Sequence, residues 1–363
     1  MDRIGLAATV SALVMSALGV GFVTLLTVGE GHLEKPQQST ATTVAADYLR
    51  DVRPILERRC IVCHGCYDAP CQLKLTSAEG ISRGGSKDPV YNSQRLSVME
   101  PTRLYIDAKS DKGWRRKGFF SVSAGEKGTD STLQRMLDLG RAHPVATGKR
   151  LPKTVELDIN RPLACPANAS EFSEYARENP KGGMPYATAA LTAREYSVLS
   201  SWAGKGAPAD DPAPELSPAL IAAILNWEAM LNGTSDKSRL SARYLYEHLF
   251  LAHLYFSDSD SKQFFRLVRS STASGEPVNE LDTRHANDDP GPHPFFYRLR
   301  PITATIVSKT HIVYPLSAVK LLRVREMLFG GEWQVSRLPG YIDETAGNPF
   351  AVFAEIPARS RYW

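Results

Sequence analysis

The sequence lacks a concentrated charge of either sign. Its 363 residues carry 43 basic and 39 acidic side chains, a formal net charge of +4. That is far from the basic stripe needed to follow a phosphate backbone, and it excludes a nucleic-acid role. An internal repeat is absent. Five cysteines in a chain of this length are too few for a small stapled scaffold. The chain is long enough for about two domains, and 26 Gly with 24 Pro indicate many irregular connections.

Charge is missing altogether from Ile4 to Val28, an apolar run long enough to cross a bilayer as a helix. Residues 1–31 are therefore read as an export signal or membrane anchor, and Thr27-Val28-Gly29-Glu30-Gly31 is a poor cleavage site, which favours the anchor. A polar linker, 32–43, follows. Apolar residues at 48, 49, 52, 55 and 56 predict a helix with Pro54 in its first turn or at a kink. From Thr76 to Asn160 the chain reads as loops with short helices such as Ser131 to Gly140. Thr192-Ala193-Arg194-Glu195 is a capping box that starts a helix ended by Gly204 and Gly206. The Pro-rich stretch from Gly206 to Pro214 is the best domain boundary. Beyond it, Ser217-Pro218 opens a helix that stops at Asn232-Gly233, and a longer helix is expected from Lys237 to Phe256. Strands are expected at Ile302–Val307 and Ile312–Tyr314.

Cys60-Ile61-Val62-Cys63-His64 is the C-x-x-C-H spacing of covalent c-type haem attachment: two thiols bond the porphyrin and the next imidazole binds iron. The flanking sequence has neither the βαβ pattern of a thioredoxin-like pair nor the second ligand pair of a zinc site. Cys60 and Cys63 are thus the haem-attaching residues and His64 an axial ligand. Met184, in Gly182-Gly183-Met184-Pro185, is the candidate second axial ligand, with a gap-filling core Met as the plainer reading. Cys66 and Cys71 could close a disulfide across a tight loop, and a bond from either to Cys165 is equally allowed. His248 and His253 are five apart, off the spacing of a helical metal pair. His285, His293 and His311 are candidates for polar contacts near a haem, or else core or surface residues.

The expected architecture is mainly α: a cytochrome c-like haem domain with long loop insertions over 44–208, a linker at 209–216, a mixed α/β second domain over 217–363, and the N-terminal transmembrane or signal helix.

The string Arg53-Pro54-Ile55-Leu56, continued by Arg59 through Leu75, resembles the haem segment of bacterial fatty acid cis/trans isomerases. Arg243 through Phe256, Lys309-Thr310-His311 and Leu338-Pro339-Gly340-Tyr341 are similar to the same family, so the resemblance spans about Asp47 to Tyr362. It implies a periplasmic isomerase with one covalent haem c, loaded by haem-attachment machinery. Such an enzyme turns cis double bonds of membrane phospholipid acyl chains into trans without net redox. Family members are considerably longer, which implies a shortened copy, with an inactive truncated isomerase as one alternative. A membrane-anchored c-type cytochrome passing electrons to a partner is the other, and the residues after Pro214 argue against a pure carrier.

Overall fold

The computed structural model describes residues 47–362 apart from 66–68, 89–103, 105–106, 124–130, 147, 149, 152, 154, 156, 158–163, 282 and 343. The expected signal or anchor, the linker 32–43 and Cys66 lie outside the described residues. Among the described residues no helix is long and apolar enough to cross a membrane.

The first apolar stripe is helical. A π-helical turn, Tyr48–Val52, runs directly into α1 (Arg53–Arg59), and Pro54 stands at the junction of the two. Tyr48, Val52, Ile55 and Leu56 are buried, while Leu49 is 41% exposed, so the stripe narrows to i, i+4, i+7 and i+8. After α2 (Ile61–His64) the chain forms α3 (Ala78–Arg83), α4 (Asp111–Arg116), α5 (Thr132–Ala142), α6 (Ala169–Glu178) and α7 (Ala193–Ala203). Ser77, Ser110, Ser131, Asn168 and Thr192 each cap one of these last five helices by accepting from the backbone N–H three residues on. Such local caps let short helices persist in a Gly- and Ser-rich stretch. The capping box at α7 is complete: Thr192 Oγ1 accepts from Glu195 N–H at 3.2 Å and Glu195 Oε2 from Thr192 N–H at 2.9 Å. Val52, Leu56, Leu75, Ile81, Leu137 and Leu199 form one hydrophobic cluster with Trp202, whose ring stacks on Tyr48.

Glu195 also joins α7 to α1. Arg59 Nε and Nη2 donate to its two carboxylate oxygens at 3.0 and 2.8 Å, a bidentate pair across 136 residues of sequence. Chiefly through this contact, its carboxyl is held down at about 2, against an ordinary 4.5. A depressed carboxyl stabilises the fold above its ordinary value and loses that contribution as pH falls towards the folded one. Urea midpoints of the wild type should therefore exceed those of Glu195→Gln near neutrality, with the gap closing between pH 4.5 and about 2. A gap independent of pH would refute this assignment.

The second hydrophobic cluster draws on residues from Leu220 to Ile356. Ser217 caps α8 (Pro218–Leu231), as expected, and α9 (Asp236–Leu249) packs against it. The helix expected to reach Phe256 ends at Leu249. The chain turns and enters β1 (His253–Phe256), where alternate residues Leu254 and Phe256 are buried. A short apolar run satisfies either period, and here pairing decides it. With β2 (Phe265–Ser270), β3 (Phe296–Pro301) and β4 (Val313–Leu316) it forms a sheet in the order β3-β2-β1-β4. β1 and β4 are parallel and the other pairs antiparallel. The strand expected at Ile302–Val307 lies one element earlier, at β3. Past Ile302 the backbone turns to the first half of the chain: Thr303 O accepts from Arg53 Nη2 at 3.0 Å, and Thr305 N–H donates to Thr76 O at 2.8 Å. Helix α10 (Ala318–Val324) follows β4.

The expectation of a mainly α, cytochrome c-like chain is thereby corrected: the described residues are mixed α/β. Helices of the first half are short and separated by loops, and the second half is organised by a four-stranded sheet.

Candidate functional site

Cys60 interrupts the helical run between α1 and α2, and His64 N–H donates back to Cys60 O at 2.9 Å. Residues i, i+3 and i+4 of one turn share a face, so Cys60, Cys63 and His64 line the same cavity, of about 360 Å³. Both cysteines are free thiols. Burial pushes the Cys60 thiol up to about 12, leaving it protonated and a poor nucleophile near neutrality. His64 is buried, and desolvation lowers its imidazole below the usual value. Its Nδ1–H donates to Leu73 O at 3.1 Å, which leaves the Nε2 lone pair free for a metal.

Met184 lines the same cavity, 120 positions from His64 in the sequence. Its N–H donates to Met136 O at 2.9 Å on α5, and Tyr175 on α6 donates to Gly182 O at 2.8 Å. The glycines of the loop serve this docking. A Cβ on Gly183 would collide with the backbone of Gly140, and one on Gly140 with the backbone of Met184. Gly183→Ala should therefore displace the loop, costing about 1–3 kcal/mol in a urea melt, and alter the visible spectrum of haem-loaded protein. An unchanged spectrum would remove Met184 from the ligand set.

The remaining wall is mostly apolar, with Arg59, Thr132, Tyr186 and Thr188 as its polar members. Leu133, Leu137, Leu199 and Trp202 come from α5 and α7, and Phe120 is placed by a two-way backbone bridge to Gly85. Cys71 and Cys165 also line it, and they form a disulfide across 94 positions, one of the pairings the sequence allowed. Two free thiols, a buried imidazole with one nitrogen fixed, a thioether and an apolar cavity fit a covalent haem.

The histidines considered for haem contacts lie elsewhere. His311 Nδ1 meets His253 Nδ1 at 2.8 Å, His285 pairs with Asp288 at 3.1 Å, and His248 Nδ1 donates to Tyr244 O. His293 borders a second cavity, of about 740 Å³. Arg243, also at that cavity, explains why two distant strings belong together. Its Nη1 donates to Pro339 and Gly340 carbonyls at 3.0 Å each, and its guanidinium lies 3.9 Å from the Tyr341 ring. These residues clamp a loop.

The fatty acid cis/trans isomerase (CTI) family matches residues 99–363. The chain belongs to this family. The isomerase match takes in Met184, the whole sheet and the Arg243–Tyr341 clamp, and it begins after Cys60, Cys63 and His64. Comparison with curated proteins and with solved structures found no match.

No Asp or Glu lines the first cavity among the described residues. Trp202 and Leu199 were visible in the sequence as an apolar helix face. Phe120 and the clamp of Arg59 on Glu195 were not, because nothing local marks a partner so far away.

Proposed function

We propose that this isomerase acts on cis double bonds in acyl chains of membrane phospholipids, in the periplasm, with one haem c held at Cys60 and Cys63. The observation that carries this reading is the convergence of Cys60, Cys63, His64 and Met184 on one apolar cavity. When bound, such a haem supplies a one-electron centre of tunable potential, the property needed to lower a C=C bond order transiently. Cys60 and Cys63 tether it after delivery by haem-attachment machinery. His64, oriented by Leu73 O, would hold the iron through Nε2, and the Met184 thioether would supply a second ligand. The mostly apolar wall would take an acyl chain, with Phe120, Leu133, Leu137, Leu199 and Trp202 against it. The Cys71–Cys165 disulfide supports an oxidising compartment.

Haem-loaded chain, expressed in a host with attachment machinery, should convert cis-unsaturated phospholipid vesicles to trans product with no added reductant, ATP or nicotinamide, as read by gas chromatography of the acyl chains. An absolute requirement for any of these would overturn the reading. Haem-loaded protein making no product would favour an electron carrier.

A further inference from the structure

We propose that β4 and α10 form the surface that seats this isomerase on an anionic phospholipid bilayer. β4 is an edge strand, and Ile312 and Val313 at its start are 58% and 46% exposed. Helix α10 buries Leu321 and Val324 and turns Val319 and Leu322 outward, 78% and 63% exposed. Val319, Leu322 and Arg323 stand at i, i+3 and i+4 on one helical face. Arg323 Nη2 donates to the carbonyl of Tyr362, itself 77% exposed. Lys320 Nζ lies 3.6 Å from the ring of Tyr314 on β4, which joins helix and strand into one patch.

The charge of this run is of one sign. From Ile302 to Arg325 there is no Asp or Glu, while Lys309, Lys320, Arg323 and Arg325 are cationic. Carboxylates beside the run are Asp258, which accepts from Ala318 N–H at the start of α10, Glu326 just past its end, and Glu57, which accepts from Thr305 Oγ1 at 2.8 Å on the side of the first half of the chain. Exposed apolar side chains flanked by cations are the composition of an interfacial surface that dips into the headgroup layer of anionic lipid. A second copy is a poor occupant, because two such patches repel. Strand addition is opposed by Pro315, which has no N–H to offer along the edge. Upstream in the same run, Val307 packs on Gly65, next to His64, so the surface connects through one short strap to the haem-binding segment.

The inference deepens the phospholipid reading of the function. Its test measures contact and not turnover, so either can fail without the other. Hydrogen exchange of full-length haem-loaded chain is followed with vesicles rich in phosphatidylglycerol, with phosphatidylcholine vesicles, and without vesicles. Amides of 312–323 should slow on the order of tenfold with the anionic vesicles alone, and the protection should fade as salt rises. Val319→Glu/Leu322→Glu and, separately, Lys320→Gln/Arg323→Gln should abolish this local protection while exchange in α8 and β2 stays unchanged. Equal exchange with and without anionic vesicles, equal protection on phosphatidylcholine, or protection that persists in both double variants would overturn the proposal. Protection that grows with protein concentration in the absence of lipid would overturn it in favour of a second copy.

Discussion

Replacing Cys60 and Cys63 together by Ala is expected to leave the chain with no covalently bound haem and no trans product above background. Two thioethers are what keep a haem on a denatured chain, and these are the free thiols on the cavity wall. His64 remains in the double variant, so residual non-covalent haem would show in native spectra and vanish on a denaturing gel. Neither change should unfold the protein. Cys63 is exposed, and removing one sulfur from Cys60 is a small loss of packing at the edge of its cluster. A far-ultraviolet melt checks this. Trans product that persists in a folded, haem-free double variant would show that the haem is not the catalyst.

Glu228→Ala is expected to cost about 3–5 kcal/mol, the usual price of stranding a buried charge. Glu228 is 1% exposed within α8, and Oε2 accepts from Arg298 Nε at 2.9 Å and Ser274 Oγ at 2.6 Å. Its Oε1 accepts from Leu299 N–H at 2.8 Å. Arg298, 6% exposed, donates in turn to the carbonyls of Thr272, Ala273 and Glu276, so one ion pair fastens α8 to β3 and to the turn after β2. Truncation leaves the Arg298 guanidinium buried without its counter-charge, and its Nε–H and the Leu299 N–H without an acceptor. Glu228→Gln, which keeps the shape but loses the charge, should cost less. Glu228→Leu/Arg298→Met should recover part of the loss, because removing both charges removes the desolvation cost as well. Urea melts of the three variants measure this. A loss for Glu228→Ala within about 0.5 kcal/mol, the range of an ordinary surface change, would mean that the pair is not closed in solution.

Glu228 illustrates how much of the chain could be read in advance. It follows Trp227 and lies four residues after Ile224 on the buried face of α8, a position the sequence reading did not single out. Nor did it single out the partner, 70 positions away. Met184 depends on a distant segment too. Gly183 beside it permits backbone contact with Gly140, which sets the Met on the cavity wall.

The sequence by itself determined what is settled within one helical turn. The caps at Ser131, Thr192 and Ser217, Pro54 in the first turn of α1, and the shared face of Cys60, Cys63 and His64 all depend on atoms three or four residues apart. Tertiary structure decided the rest. Whether residues 250–256 extend a helix or form a strand, whether Cys71 bonds Cys66 or Cys165, and whether Met184 shares a cavity with His64 each turn on which distant segments are buried together. Burial and strand pairing are cooperative over the whole chain, and a backbone group gives up its local partner only when the complete fold supplies a better one.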